Sequence, residues 1–208
     1  MIRLLYFDIR DMQNDAIDEY LEKLPLFMVE EIRRYYKTDD RKSRLIGRLM
    51  LMRCLQESGK EYLISCWNKN AFGKPYIPGW NSFNIAHAGH MVVLASSATD
   101  VGVDIEKNID IDYHGIAESF HLEEQLMLQK TKNRQKLFFE IWTKKEALIK
   151  AWGIGIINGL DNFSCALGKV KHNSVTWYFR KVFIDQQYTC HICSSNKKEW
   201  IEISAFRL

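Results

Sequence analysis

Two carboxylates lie two residues apart in the apolar run Val101–Glu106. Side chains alternate along a β-strand, so we expect Asp104 and Glu106 on one face and Val103 and Ile105 on the other. Adjacent carboxylates repel each other unless a cation or a proton lies between them. All-oxygen ligands suit Mg²⁺. The spacing alone is compatible both with a metal site and with a solvated strand face at a sheet edge.

A second pair of ionisable residues that could take part in catalysis lies on a predicted helix over Asn133–Trp152. Apolar residues recur at helical spacing and form one broad stripe on it. Glu146 and Lys150 are neighbours one turn apart, at the border of this stripe rather than opposite it. An exposed salt bridge, worth about 0.3–0.5 kcal/mol, is the commonest reason for such a spacing.

Several basic residues could bind phosphate groups. His87 follows a predicted strand in the run Phe83–His90, where a structural, hydrogen-bonded histidine is the main alternative. Arg41 and Arg44 share one face of a predicted helix, and Lys74 lies in a Gly-Lys-Pro turn. Such basic density suits a polyphosphate ligand or an acidic protein, but a solvated helix face explains it equally.

The bulk composition is that of a globular protein. The chain has 208 residues, 47% hydrophobic and 26% charged, and a net charge of +3, which is too small to indicate a nucleic-acid binder. No stretch approaches the roughly 18 apolar residues of a membrane span. The first apolar run is too short for a signal peptide, and the five cysteines are scattered, which together favour a cytoplasmic protein. The run Cys190–Cys193 has a C-x-x-C form, but without a second pair it favours reduced core thiols.

The elements that must position these residues alternate along the chain. Helices are predicted at Pro25–Tyr36, Arg41–Ser58, Tyr113–Lys130 and Asn133–Trp152, with Thr38, Asp39 or Asp40 as the cap of the second and Gly153 as the end of the last. Strands are predicted at Ile2–Ile9, Leu63–Trp67, Ser82–Ala86, Met91–Ser97, Val101–Glu106, Phe163–Leu167, Val175–Lys181, Tyr188–Cys193 and Trp200–Phe206. This order predicts an α+β fold, with two lobes over residues 1–100 and 101–208.

The order and spacing of three runs carry a specific resemblance. FNIAHAGH, then VGVDIEKN, then FFEIWTKKEALIKAWGIG resembles the 4′-phosphopantetheinyl transferase superfamily, in its single-chain surfactin-synthetase-activator branch. The resemblance spans Phe83–Gly155, with weaker agreement at Arg33–Tyr36, Leu45–Arg48, Gly73–Pro75 and Leu160–Ser164.

The resemblance implies both a fold and an activity. It implies two similar α+β lobes related by a pseudo-twofold axis, acting as a monomer, with coenzyme A in the cleft between them. The activity would be transfer of the 4′-phosphopantetheine group of coenzyme A to a serine of an apo acyl or peptidyl carrier protein, releasing 3′,5′-ADP. The carrier protein would dock near Ile116–Glu124, and neither nucleic acid nor a membrane would be a partner.

The resemblance also implies residue roles. Asp104, Glu106 and Glu146 would hold Mg²⁺, with Mn²⁺ as a possible replacement. Glu146, Lys150 and Asp104 would be the catalytic residues, with Glu146 as the general base. The residues that would contact coenzyme A are Lys74, His87, Arg41, Arg44, Asp104 and Lys150.

Two positions depart from the family pattern. Ala86 replaces a serine and Ser43 replaces an arginine. Both departures concern the nucleotide end of coenzyme A. They leave open an alternative function, in which the protein binds coenzyme A or a carrier protein without transferring the group.

Overall fold

The computed structural model describes residues 1–155 and 159–208 and has an α+β fold. The helices are α1 (Ala16–Leu21), α2 (Leu26–Arg33), α3 (Thr38–Glu57), α4 (His114–Ala117), α5 (Leu122–Lys130) and α6 (Arg134–Trp152). The strands are β1 (Ile2–Asp8), β2 (Asn68–Lys69), β3 (Pro75–Tyr76), β4 (Ser82–Ala88), β5 (Met91–Ser97), β6 (Val101–Lys107), β7 (Lys169–His172), β8 (Val175–Val182), β9 (Tyr188–Ser194) and β10 (Ile201–Ala205). Within the described part of the chain, no helix is long and apolar enough to cross a bilayer.

Two four-stranded sheets form the frame. The first has the order β10-β1-β5-β4 and the second the order β6-β9-β8-β7, while β2 and β3 form a separate ribbon. All pairs in the two large sheets are antiparallel except β1 with β10, which run parallel with Ile2 opposite Ile201. The last strand therefore returns to the sheet of the first strand, across the division that the sequence predicts near residue 100. That division and the pseudo-twofold axis stay predictions.

Apolar side chains of both sheets pack together in one cluster. Alternate residues of β1, β4, β5, β6, β8 and β9 contribute to it, including Leu4, Val93, Val103 and Ile192. The outer face of the first sheet packs against α1, α2 and α3. The outer face of the second sheet packs against α6, which contacts both β6 and β9.

Glycine allows α6 to lie very close to β6. A Cβ atom at Gly102 would overlap the carbonyl oxygen of Ala147 and come within 2.5 Å of the amide nitrogen of Ala151. The helix ends at Gly153, as predicted, with a left-handed φ of 69° that a residue with a side chain rarely adopts. Gly102 thus allows α6 to approach the strand that carries Asp104, and Gly153 sets where the helix ends.

Side chains join the two sheets where β4 and β6 meet. Asn84 Oδ1 accepts a hydrogen bond from the Val103 amide at 3.0 Å, and Ser82 Oγ accepts one from the Val101 amide at 3.3 Å. The two strands belong to different sheets, so these bonds replace the backbone ladder that a continuous sheet would have.

One predicted strand and one predicted helix are wrong, because the local structure does not follow the period of the sequence pattern. Residues predicted as a strand at Leu63–Trp67 lie in a 3₁₀ helix, Glu61–Cys66, from which Leu63, Ile64 and Trp67 pack against the first core. The helix predicted over Tyr113–Lys130 is two helices, because His121 starts α5 with a capping box that it shares with Glu124.

Three further differences concern ends and loops. Phe163–Leu167 is not a strand, because the Phe163 carbonyl accepts from Lys145 and the Cys165 amide donates to Glu124. Thr38, Asp39 and Asp40 do not cap α3: its N-cap is Lys37, and the Thr38 hydroxyl accepts from Arg41 instead. Helix α1 and the strands β2, β3 and β7 were not predicted.

Candidate active site

Asp104 and Lys150 form an ion pair between β6 and α6, in which the carboxylate is buried and the lysine side chain is partly exposed. The Lys150 ammonium donates to Asp104 Oδ1 at 2.5 Å, and Asp104 is 3% exposed. The other carboxylate oxygen, Asp104 Oδ2, is buried and has no hydrogen-bond partner among residues 1–155 and 159–208. A buried carboxylate oxygen without a donor is costly, so this atom is a position where a ligand or a cation would be favoured.

Glu106 and Glu146 lie beside this pair. Trp142 Nε1 of α6 donates to Glu106 Oε1 at 3.0 Å, so Asp104 and Glu106 both face the helix, as strand alternation predicts. Burial raises the pKa of Glu146, and the Glu106 carboxylate raises it further while Lys150 opposes the change. The three carboxylates and Lys150 therefore form one electrostatic group.

Burial also raises the pKa of Asp104, to about 7, even though Lys150 opposes the shift. The Glu106 and Glu146 carboxylates add to the increase because they repel a third negative charge nearby. The pKa of Lys150 is raised by Asp104 and the two glutamates, which outweigh its own burial. The group carries three carboxylates against a single ammonium, so it favours one more positive charge.

The donor chemistry of this group fits a divalent cation. Three carboxylates supply only oxygen ligands, and Asp104 Oδ2, which accepts no hydrogen bond within the described part of the chain, could coordinate a cation. Over residues 1–155 and 159–208, however, no three His, Cys, Asp or Glu side chains lie close enough together to enclose a metal ion. One oxygen of Asp104 accepts a hydrogen bond from Lys150, and one oxygen of Glu106 accepts a hydrogen bond from Trp142. The residues suit Mg²⁺ in type, and their role as ligands stays a prediction.

A cavity of about 260 Å³ opens beside the group, and both halves of the chain line it. Glu146 and Lys150 line it from α6 and Gly153 from just beyond the helix, while Lys74 and Asn84 line it from the first half. Lys74 Nζ itself donates to the backbone carbonyls of Ala151, at 3.0 Å, and Val101, at 3.4 Å. Burial lowers the pKa of Lys74. Its ammonium thus ties the Gly-Lys-Pro turn to the end of α6.

The charges of two cations act on His87. Burial lowers the pKa of His87, and the positive charges of Arg44 and then Lys150 lower it further. Arg44 packs over the Tyr35 ring at 5.0 Å, and its Nε atom has no hydrogen-bond partner in the described part of the chain. Arg41 donates to the Thr38 hydroxyl at 3.4 Å. Of the two arginines, Arg44 is the one whose charge acts on His87.

Sequence reasoning missed a buried ion pair next to Glu146. Lys145 Nζ lies 2.8 Å from Glu124 Oε2, and both side chains are fully buried. Lys145 also donates to the carbonyls of Leu160 and Phe163, each at 2.7 Å. The signal in the sequence was the His121–Glu124 capping box, which places an acid at the start of α5. This pair joins α5, α6 and the segment after α6.

The C-x-x-C run is not a paired site. Cys190 packs in the cluster between the sheets, while Cys193 packs under α6, so the two thiols face opposite sides of β9. All five cysteines are free.

Comparison with known families gives two matches. Residues 100–203 match the model described as the 4′-phosphopantetheinyl transferase superfamily, and residues 13–99 match the one described as 4′-phosphopantetheinyl transferase, N-terminal. The chain therefore belongs to the 4′-phosphopantetheinyl transferase superfamily, a class of enzymes.

Individual relatives agree over most of the chain. The 4′-phosphopantetheinyl transferase gsp of Aneurinibacillus migulanus is 33% identical over 180 residues, which cover 77% of this chain and 72% of the relative. The 4′-phosphopantetheinyl transferase ffp of Bacillus subtilis is 30% identical over 207 residues, covering 92% of this chain and 90% of the relative. The 4′-phosphopantetheinyl transferase Sfp of Bacillus subtilis strain 168 is 26% identical, covering 92% and 91%. These relatives confirm the predicted surfactin-synthetase-activator type.

Proposed function

We propose that this protein transfers the 4′-phosphopantetheine group of coenzyme A to a serine hydroxyl of an apo acyl or peptidyl carrier protein, releasing 3′,5′-ADP and the holo carrier protein. The serine oxygen forms a bond to the β-phosphorus as the bond from that phosphorus to the bridging oxygen breaks. The observation that carries the proposal is the group formed by buried Asp104, partly buried Glu106 and Glu146, and Lys150, beside a cavity that both halves of the chain line.

Glu146 is the proposed general base. Its pKa is raised by burial, and a carboxylate with a raised pKa accepts a proton from a hydroxyl more readily than an ordinary one. Glu146 lines the cavity, so it can approach a serine that enters from solvent.

Lys150 is the proposed partner of the phosphate groups. Its ammonium lies in the same cavity and keeps its proton, because Asp104 and the two glutamates raise its pKa. A fixed positive charge stabilises the negative charge that develops on the leaving phosphate, and little other chemistry is required in phosphoryl transfer.

Asp104, Glu106 and Glu146 would hold Mg²⁺, or Mn²⁺ in its place. When bound, such an ion neutralises charge on the diphosphate of coenzyme A. The support for this ligand set is the unpartnered Asp104 Oδ2 and the raised pKa of Asp104, both of which a cation would relieve.

The nucleotide end of coenzyme A would contact Lys74, His87, Arg41 and Arg44. The support is strongest for Arg44 and His87, because the charge of the Arg44 guanidinium acts on the imidazole. Lys74 would contribute through its position in the cavity wall, since its ammonium is bound to backbone carbonyls.

The carrier protein would dock along α4 and α5, near Ile116–Glu124. Exposed apolar side chains support this position: Ile116, Leu122, Leu126 and Met127. We further propose that the protein is a cytoplasmic monomer. Its five free cysteines suit a reducing compartment, and the apolar faces of both sheets are covered within one chain.

Substitution at the carboxylates tests the proposed function. Glu146→Gln and Asp104→Ala should each abolish transfer to an apo carrier protein, while far-ultraviolet circular dichroism stays unchanged. Glu140→Gln is the matched control, because Glu140 lies on the same helix but is bonded to Lys181 at 2.6 Å. Wild-type turnover in Glu146→Gln or Asp104→Ala would contradict the proposed site.

A further inference from the structure

Asn84 has two functional ends that face different partners. The residue is 5% exposed and lies on β4, on the side where that strand meets β6. Its Oδ1 atom accepts the hydrogen bond from the Val103 amide at 3.0 Å. Val103 precedes Asp104, so this bond fixes the backbone next to the carboxylate group.

The orientation of the Asn84 amide follows from chemistry. A backbone N–H can only donate, so the oxygen of the side chain must face Val103 and the NH₂ group must face away from it. Within residues 1–155 and 159–208, Asn84 Nδ2 donates no hydrogen bond to a protein acceptor. It is also absent from the group of buried polar atoms that lack both a partner and contact with solvent. The NH₂ group therefore retains contact with solvent.

The space beside Asn84 is the cavity that Glu146 and Lys150 also line. The neighbouring junction residue Ser82 differs in this respect. Its hydroxyl accepts from the Val101 amide, but Ser82 lines an adjoining cavity of about 670 Å³, which shares Lys74 and Pro75 with the first cavity and which Glu146 and Lys150 do not line. Both residues join β4 to β6, and only Asn84 does so at the wall of the cavity beside the carboxylates.

We propose that Asn84 is a substrate-binding residue whose NH₂ group donates a hydrogen bond to an anionic phosphate oxygen of coenzyme A. This inference rests on the proposed function, because it takes the phosphate groups into the cavity of Glu146 and Lys150. An uncharged donor suits the position, since it supplies a hydrogen bond to the anion without adding to the repulsion between Lys150 and other cations nearby. The same side chain holds β6 through its oxygen, so binding and positioning are linked in one residue.

Two variants of Asn84 separate binding from structure. Asn84→Asp keeps the size and an oxygen for the Val103 amide, but it replaces the donor by a negative charge. Asn84→Ala removes both ends. Ser82→Ala is the matched control, because it removes one bond of the same junction at the other cavity.

Calorimetric titration with coenzyme A in the presence of Mg²⁺ is the measurement. We expect the Kd to rise about tenfold or more for Asn84→Asp and Asn84→Ala, the size of one hydrogen bond to a charged group. Ser82→Ala should stay within about twofold of the wild type. If Asn84→Asp does not fold, Asn84→Ala decides the question.

Two results would overturn the inference while the proposed function stands. One is coenzyme A binding within twofold of the wild type in the folded Asn84 variants. The other is an equal loss in Ser82→Ala and Asn84→Ala, which would indicate a purely structural junction. A wild-type protein that binds no coenzyme A would overturn both the inference and the proposed function.

Discussion

The Lys145–Glu124 pair gives a large and specific prediction for stability. Both side chains are completely buried, with 2.8 Å between Nζ and Oε2. Replacing Lys145 by Met keeps the length of the side chain and removes its charge. Among the described residues, only the amides of His121 and Cys165 would then remain as donors to the buried Glu124 carboxylate.

The expected loss follows from the desolvation of that carboxylate. Removing one partner of a buried ion pair costs about 3–5 kcal/mol, because the other charge is left without compensation. Two carbonyls, those of Leu160 and Phe163, lose their donor as well. For a protein of this size each kcal/mol lowers the Tm by about 2–4 °C, so Lys145→Met should melt about 10 °C below the wild type.

Urea unfolding of a double-mutant cycle is the assay. Lys145→Met and Glu124→Gln should each be strongly destabilising, and the double variant should lose less than the sum of the two, because no isolated charge remains. The exposed pair Lys23–Glu19 is the control, and Lys23→Met should change stability by less than about 0.5 kcal/mol. A loss below about 1 kcal/mol in Lys145→Met, or strict additivity in the cycle, would refute the reasoning.

Two further predictions concern α6 and the sheet beneath it. Burial, followed by the charges of Lys144 and Lys181, lowers the pKa of His191 to about 3, so at acid pH the unfolded chain binds a proton that the folded protein does not. Stability should therefore fall as the pH drops from about 6.5 towards 3, by about 2–3 kcal/mol at pH 4.5. Urea midpoints at pH 7.5 and 4.5 should differ less in His191→Gln, and an equal difference would contradict the assignment. Gly102→Ala should destabilise the fold by about 3 kcal/mol or more and reduce transfer, because its Cβ overlaps the backbone of α6; a wild-type melting curve would contradict this.

The geometry of the carboxylate group could be predicted because it depends on local period. Strand alternation placed Asp104 and Glu106 on one face, and helical period placed Glu146 and Lys150 beside the buried stripe, which are the arrangements observed. The Asp104–Lys150 bond itself requires that α6 lies directly on β6. That contact depends on Gly102, whose role is visible only in three dimensions.

Features that depend on distant pairs were not predictable. Lys145 looks like an exposed helix residue by its type, yet its partner Glu124 and its carbonyl acceptors make it fully buried. Residues Phe163–Leu167 read as a strand because the tail alternates with the period of a strand. Their backbone groups are used by this ion pair instead of a strand partner, and no local pattern shows that.

The intact mass of an apo carrier protein tests the central claim most directly. The protein should be incubated with coenzyme A, Mg²⁺ and apo carriers from fatty acid, polyketide and nonribosomal peptide synthesis. We predict that at least one carrier gains the mass of a single phosphopantetheine group with the wild type, and that none does with Glu146→Gln. Coenzyme A binding without a mass gain on any carrier would contradict the claim and would identify the protein as a binding module.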